Sequence, residues 1–142
     1  MKHEETTKEI IGAFYTVYNT LGYGFLEKVY ERAMAIELRK RGMQVVCQYP
    51  ITVTYDGQVV GEYIADMLVE DRVIVEFKAV RRLLTEHEAQ LLNYLNATVY
   101  EVGLLFNFGP KPEFIRKVFD NDRKKYRRQS RTHNGENPRL FV

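Results

Sequence analysis

VIVEFKAV, residues 73–80, is typical of a β-strand covered on both faces, because only a central strand needs near-continuous Val, Ile and Phe. Two charged residues, Glu76 and Lys78, nevertheless lie inside it. Side chains alternate along a strand, so these two project from the same face. Burying an unpaired ion is costly. The segment therefore predicts that something pairs or coordinates both charges.

Helix and strand patterns extend on both sides of this strand. The predicted order is a helix beginning at a capping box at 6–9, a helix ending at Gly42, strands at 45–55, 58–69 and 73–80, a helix beginning at a capping box at 85–88, and strands at 100–106 and 114–119. Asp56–Gly57 marks a tight hairpin between the first two strands. A helix between two strands favours a parallel crossover, so we predict an α/β fold with a mixed sheet.

The register of the turn near residues 70–72 decides where Asp66 lies relative to Glu76. A two-residue turn would place Asp66 opposite Val75 and turn Glu76 to the other face of the sheet. A pairing centred on Asp71 instead places Asp66 opposite Glu76, with Lys78 on the same face. The first register scatters unpaired ions over both sides of a core sheet. We therefore expect the second, with a turn of odd length or a bulge.

Composition sets the class of protein. The 142 residues suit one domain, predicted at residues 1–120. Residues 116–142 hold nine Lys/Arg against three Asp/Glu, and residues 121–142 lack an apolar period, which predicts a basic, flexible extension able to bind phosphate. No apolar run suggests a signal peptide or membrane span, so a cytoplasmic protein is expected. The single Cys47 excludes a four-cysteine zinc site, which leaves oxygen ligands for any metal.

Asp66, Glu76 and Lys78 suit metal-assisted hydrolysis. Two carboxylates one strand apart raise each other's pKa unless a cation lies between them. Mg²⁺ or Mn²⁺ is a hard ion of the right kind, since it binds one or two carboxylates, carbonyl oxygen and water. Lys78 could orient or deprotonate the attacking water, or stabilise negative charge on a phosphate. The pattern predicts hydrolysis of phosphodiester bonds.

Two pairs of polar residues lie on helices that could cover this site. Glu27 and Tyr30 are three residues apart, and Gln90 and Tyr94 are four apart, so each pair shares a helix face. If both helices cover the face that bears Asp66, Glu27 can supply a third carboxylate and Gln90 an amide. Spacing alone proves neither placement, and both tyrosines are better interpreted as packing residues whose hydroxyl groups lie near the site.

Residues 24–30, GFLEKVY, match the pattern GxxExxY, and the chain resembles from about residue 9 to residue 119 the small proteins named after it, in the PD-(D/E)xK nuclease superfamily. The resemblance implies a restriction-endonuclease-like core of order αβββαβ, metal ligands at Asp66 and Glu76, and a catalytic Lys78. Residues 90–94, QLLNY, are similar to the QxxxY motif of the RecB-like branch, where a helix-one acid joins the metal site; that role would fall on Glu27.

The chain departs from this resemblance in two ways. Ala65 stands where the superfamily name puts Pro, and the four cysteines of the iron–sulfur members are absent, so no cluster is implied. The competing interpretation of Glu76 and Lys78 is a simple ion pair on a half-exposed strand. The competing function is a catalytically silent nuclease-fold module that binds or regulates. The sequence leaves open DNA or RNA as partner, internal or terminal cleavage, and a homodimer.

Overall fold

A computed structural model describes residues 2–124. The helices are α1 (Glu4–Leu21), α2 (Glu27–Lys40) and α3 (Thr85–Asn96), and the strands are β1 (Val45–Tyr55), β2 (Gln58–Val69), β3 (Val73–Lys78), β4 (Val102–Phe108) and β5 (Pro112–Val118). The strands form one sheet in the order β1-β2-β3-β4-β5. β3 and β4 are parallel, with α3 as the crossover, and the other pairs are antiparallel. The predicted mixed sheet is confirmed.

The starts of α1 and α3 differ from those that the capping boxes predicted. α1 begins at Glu4, and the Thr7 hydroxyl donates back to the Glu4 carbonyl at 3.0 Å instead of capping the end. Two acids in the first turn, Glu4 and Glu5, stabilise this earlier start through the helix dipole. The capping box predicted at residues 6–9 is therefore wrong.

At the start of α3 the capping side chain is His87 and not the predicted Glu88. Leu84 is the N-cap residue, and its N–H donates to His87 Nδ1 at 3.0 Å. Glu88 forms an ion pair with Lys117 of β5 at 2.9 Å and is therefore engaged elsewhere. His87, which the sequence suggests is a solvated side chain, fixes the beginning of the helix that carries Gln90.

The sheet divides the core into two layers by strand alternation. Val73, Val75 and Phe77 of β3 face α1 and α2, whereas Ile74 faces α3. On the first side Phe14 stacks on Phe106, with ring centroids 4.6 Å apart. Since β3 is buried along nearly its whole length, any charge on it lies inside the protein.

The turn between β2 and β3 has the odd length that the buried charges require. The register pairs Val69 with Val73 and Met67 with Val75, and therefore centres on Asp71. Glu70 and Asp71 take positive φ angles of 54° and 51°. The prediction of an odd turn is confirmed, and the same register continued by one residue brings Asp66 opposite Glu76.

The described residues end in a packed segment. A short 3-10 helix, Asn121–Arg123, follows β5, and the Lys124 side chain is buried, donating to the carbonyls of Thr98 and Tyr100 at 3.0 and 2.7 Å. The predicted extension at 121–142 otherwise lies outside the described residues, so its flexibility and phosphate binding stay predictions. Within residues 2–124 no helix is long and apolar enough to cross a membrane.

A glycine on β4 allows α3 to pack closely on the sheet. A Cβ added at Gly103 would lie 2.7 Å from Leu91 Cδ1 and 3.0 Å from Leu91 Cγ. We expect Gly103→Ala to lower the free energy of unfolding by about 1–3 kcal/mol, the usual effect of overpacking, as measured by urea denaturation. In a Leu91→Ala background the same change should destabilise much less, because the clash is removed. Equal losses in both backgrounds would contradict this packing account.

Candidate active site

The strand ladder between β2 and β3 ends where Asp66 faces Glu76. The paired residues stop at Met67 and Val75, and the two carboxylates then bond to the opposite backbone. The Asp66 N–H donates to Glu76 Oε2 at 2.5 Å, and the Phe77 N–H donates to Asp66 Oδ2 at 2.8 Å. Side-chain oxygens thus replace ladder carbonyls, which fixes both carboxylates at the point where the strands separate.

Burial and mutual repulsion disfavour the charged forms of this pair. Glu76 is only 5% exposed. Desolvation, followed by the charge of Asp66, raises the pKa of Glu76 to about 8. Desolvation also raises the pKa of Asp66 to about 6, against the lowering effect of the Phe77 N–H, while the charges of Glu31 and Glu27 raise it further. Two acids held this way favour a nearby cation.

Lys78 lies close enough to act on both carboxylates. Its positive charge lowers the pKa values of Asp66 and Glu76, which places its ammonium in the same electrostatic environment. Lys78 is the last residue of β3, is half-buried, and is paired in register with Asn107 of β4. Asp66 and Glu76 therefore face each other, and the charge of Lys78 acts on both.

Asn107 holds the chain directly after Lys78. The Val80 N–H donates to Asn107 Oδ1 at 2.9 Å, and Asn107 Nδ2 donates to the Val80 carbonyl at 2.9 Å. Asn107 Nδ2 also donates to Glu113 Oε1 at 2.9 Å. The fully buried Asn107 amide thus bonds to the N–H and the carbonyl of Val80, as the backbone of a neighbouring strand would. No sequence pattern marks Asn107, because its role depends on the β3–β4 register.

We expect Asn107→Ala to destabilise the protein by about 1–3 kcal/mol, because the N–H and the carbonyl of Val80 both lose the side-chain amide to which they are hydrogen-bonded. Urea denaturation measures this change. The matched control is Asn96→Ala, on α3, which should have a smaller effect because no group among residues 2–124 bonds to its buried Oδ1. Comparable losses for the two variants would contradict the assigned role.

The loop before α2 brings Glu27 to the site. Gly24 takes a φ of 117°, which favours glycine, and Glu27 is the first residue of α2. The buried Tyr30 hydroxyl donates to the Gly22 carbonyl at 2.7 Å and accepts from the Phe25 N–H at 3.2 Å. The tyrosine of the GxxExxY pattern thus ties the loop to its helix. The negative charge of Glu27 raises the pKa values of Asp66 and Glu76, so Glu27 lies near both.

Gln90 and Tyr94 approach the carboxylates from α3. Burial raises the pKa of Tyr94 to about 12, and the charges of Glu76 and Asp66 raise it in the same direction. The Gln90 side chain lowers the pKa of Tyr94, so it lies close to the Tyr94 hydroxyl. The two residues line a different cavity from that of Glu27 and Asp66. The two helices therefore approach the pair from two cavities and do not both cover the face that bears Asp66.

Sequence reasoning missed Glu31 and Gln48. Glu31 is 6% exposed, and Gln48 Nε2 donates to its Oε1 and Oε2 at 2.5 and 3.1 Å. Lys28 pairs with the same carboxylate at 3.0 Å. Gln48 has a positive φ of 57°. The β1–β2 ladder pairs the residues on either side of Gln48 and Asp66 but does not pair these two with each other. Glu31 lies four residues after Glu27, on one helix face, and this spacing could have identified it.

The donor set fits a hard divalent cation. Asp66 Oδ2 and Glu76 Oε2 bond to backbone N–H groups, and each carboxylate has a second oxygen. Among residues 2–124, no three Asp, Glu, His or Cys side chains form a ready-made group of ligands. A cation here would therefore use two carboxylates, with carbonyl oxygen and water completing its shell, as Mg²⁺ usually does.

Similarity to known proteins agrees with this geometry. The crystal structure of SSO0001 is similar to the chain, with a TM-score of 0.54 and 19% sequence identity. The likeness covers 79% of this chain and 61% of that one, so the chain spans less than two thirds of that protein, and it supports the restriction-endonuclease-like fold alone. No curated protein matches significantly. A family model described as the PD-(D/E)XK nuclease superfamily matches residues 4–118, and the chain therefore belongs to that superfamily.

Proposed function

We propose that the protein is a Mg²⁺- or Mn²⁺-dependent nuclease that hydrolyses phosphodiester bonds of nucleic acid. The observation that carries this proposal is the pair formed by the half-buried Asp66 and the buried Glu76 beside Lys78, at the point where β2 separates from β3. Two acids with raised pKa values beside a cationic side chain are typical of sites for hydrolysis, whereas a structural ion pair balances its charges. Superfamily membership supports the same conclusion.

In this proposal Asp66 and Glu76 hold the cation directly and Glu27 holds it through water, and the cation when bound would supply an activated water and stabilise charge on the phosphate. Lys78 stabilises negative charge or orients the attacking water through its ammonium group. Gln90 and Tyr94, neighbours on one face of α3, hold an amide and a hydroxyl near the substrate. Glu31 contributes negative charge beside Asp66 and is itself fixed by Gln48.

We place the chain in the GxxExxY family, near the RecB-like QxxxY branch. The contacts of residues 22–30 support the first assignment, since Gly24, Glu27 and Tyr30 each have a distinct structural task. The placement of Gln90 and Tyr94 four residues apart, on one face of α3, supports the second. Both motifs lie on helices that reach the carboxylate pair, as residues of one active site should.

The proposal is tested by cleavage of labelled single- and double-stranded DNA and RNA, with Mg²⁺, Mn²⁺ or a chelator. We expect products only with a divalent ion, and none from Glu76→Gln purified in the same way. Cleavage that survives in that variant would indicate a contaminating nuclease. Failure to cut every substrate with either ion would overturn the proposal in favour of a catalytically silent binding or regulatory module on the same fold.

A further inference from the structure

Two cavities lie near the carboxylate pair, and Asp66 lines one of them. One, of about 520 Å³, lies against the start of α2 and is lined by Phe25, Leu26 and Glu27 together with Asp66 of β2. The other, of about 440 Å³, lies between α3 and the β1–β2 hairpin and is lined by residues that include Tyr63, Gln90 and Tyr94. Both volumes lie within the roughly 300–1,000 Å³ of pockets that hold small ligands.

Large apolar side chains stand exposed at the walls of both cavities. Phe25 is 50% exposed and Leu26 80% exposed at the first cavity. Tyr63 is 52% exposed at the second, where its ring centroid lies 6.1 Å from that of Tyr94. A surface that contacted only phosphates would consist of cationic side chains. Exposed apolar groups indicate contacts with an apolar part of a ligand.

The aromatic rings at the two cavities are held in place by packing on one side. Phe25 packs edge-on against the buried Tyr30, with ring centroids 6.1 Å apart, and its N–H donates to the Tyr30 hydroxyl. Tyr63 packs against the buried Tyr94 with its ring tilted by 48°. Each ring is thus fixed from behind while half of its surface stays open, as in a platform for stacking.

We propose that the site takes single-stranded nucleic acid, with a base stacked on Phe25 in one cavity and a base stacked on Tyr63 in the other. This proposal rests on the nuclease function proposed above and specifies its substrate class. Every base has a flat face, so aromatic platforms bind single strands with little sequence preference. Lys28 lines the first cavity, and Arg81 and Arg82 are exposed in the segment after Lys78, where they can attract phosphates.

A duplex fits the same walls poorly. In double-stranded nucleic acid the base faces are stacked on one another, so the surface offers phosphates, sugars and groove edges. The apolar rings would then lie against a charged backbone. Residues 2–124 also contain more Asp and Glu than Lys and Arg, which weakens the electrostatic attraction on which duplex binding depends. Stacking supplies a single strand with an attraction that does not depend on net charge.

The first test compares strands that differ only in their bases. Binding is measured by fluorescence anisotropy for the full chain carrying Lys78→Met, with Mg²⁺, so that the strand stays intact. We expect an oligonucleotide with bases to bind about 5- to 150-fold more tightly than an abasic strand of equal length, the range of base–aromatic stacking. DNA and RNA strands are measured in parallel, with the matching duplexes. Equal affinity for base-containing and abasic strands would overturn the proposal without any aromatic substitution.

The second test assigns the stacking to particular rings. Phe25→Ala and Tyr63→Ala should each weaken single-strand binding about 5- to 150-fold and leave abasic binding unchanged. The matched control is Tyr55→Ala, since Tyr55 is 69% exposed beside the hairpin turn and lines neither cavity. Thermal unfolding identifies a variant that fails to fold, and Phe25→Leu then keeps the apolar packing while removing the ring.

The outcomes separate the substrate class from the activity. If the wild-type chain cuts duplexes as fast as single strands and Phe25→Ala and Tyr63→Ala have no effect on binding, the single-strand proposal fails and the nuclease proposal stands. If the chain cuts nothing but binds strands through these rings, the nuclease proposal fails and the stacking surface belongs to a binding module. Preference for single strands in both cleavage and binding, lost in the ring variants, supports both.

Discussion

Lys78→Met should reduce cleavage about 100- to 10,000-fold, the usual contribution of a positioned acid–base or charge-stabilising group. The fold should survive, because Met keeps the length of the aliphatic stem and removes a half-buried charge. Cation binding should persist, because Asp66 and Glu76 remain. Initial cleavage rates and calorimetric titration with Mn²⁺ measure the two effects.

Asp66→Asn provides the contrast for this prediction. It keeps the shape of the side chain but removes its charge, so both cation binding and cleavage should fall to background. Lys111→Met is the matched control, since Lys111 is an exposed lysine in the β4–β5 turn. A Lys78→Met protein that cuts at the wild-type rate would refute the role given to this lysine.

The metal-free protein should lose stability as the pH rises from about 4 to about 8, and Mg²⁺ should restore it. In the unfolded chain both acids titrate near pH 4. In the folded protein the pKa of Asp66 is raised to about 6 and that of Glu76 to about 8, so the folded state holds extra protons across this window. Stability is therefore fully present below about pH 4 and is lost as the pH rises through the folded pKa values.

Thermal unfolding with and without Mg²⁺ measures this prediction. We expect the ion to raise Tm by roughly 5 °C or more at pH 8 and by much less at pH 5, where protons compete for the same oxygens. Glu76→Gln should flatten the pH dependence and remove the Mg²⁺ shift. Glu62→Gln, an exposed acid on β2, should change neither. A Mg²⁺ shift that persists in Glu76→Gln would show that the cation binds elsewhere.

The register that builds this site could be predicted because buried charge penalises the alternative. A slip of one residue between β2 and β3 would have placed Asp66 and Glu76 on opposite faces of a sheet buried on both sides. The hairpin at Asp56–Gly57 could also be predicted from the sequence, because its positive φ angles of 52° and 79° suit Asp and Gly. Local chemistry and burial agree at both turns, so the strand order follows from the sequence.

Other parts of the site depend on contacts between distant residues. Glu88 looks like the natural cap of α3, but Lys117 pairs with it, and His87 caps the helix instead. Gln48 takes a positive φ because the pairing of β1 with β2 passes over it. Asn107 supports the chain after Lys78 only through the parallel register of β3 and β4. Such tertiary contacts leave no periodic signal in one sequence.

The most direct test of the account is the position of a cation in the crystal. Crystals soaked in Mn²⁺ and measured at a wavelength with anomalous signal from manganese locate the ion without ambiguity. The account predicts Mn²⁺ within about 2.0–2.6 Å of a carboxylate oxygen from both Asp66 and Glu76. Manganese bound only at other residues, with this pair keeping its backbone hydrogen bonds and no ion, would contradict it.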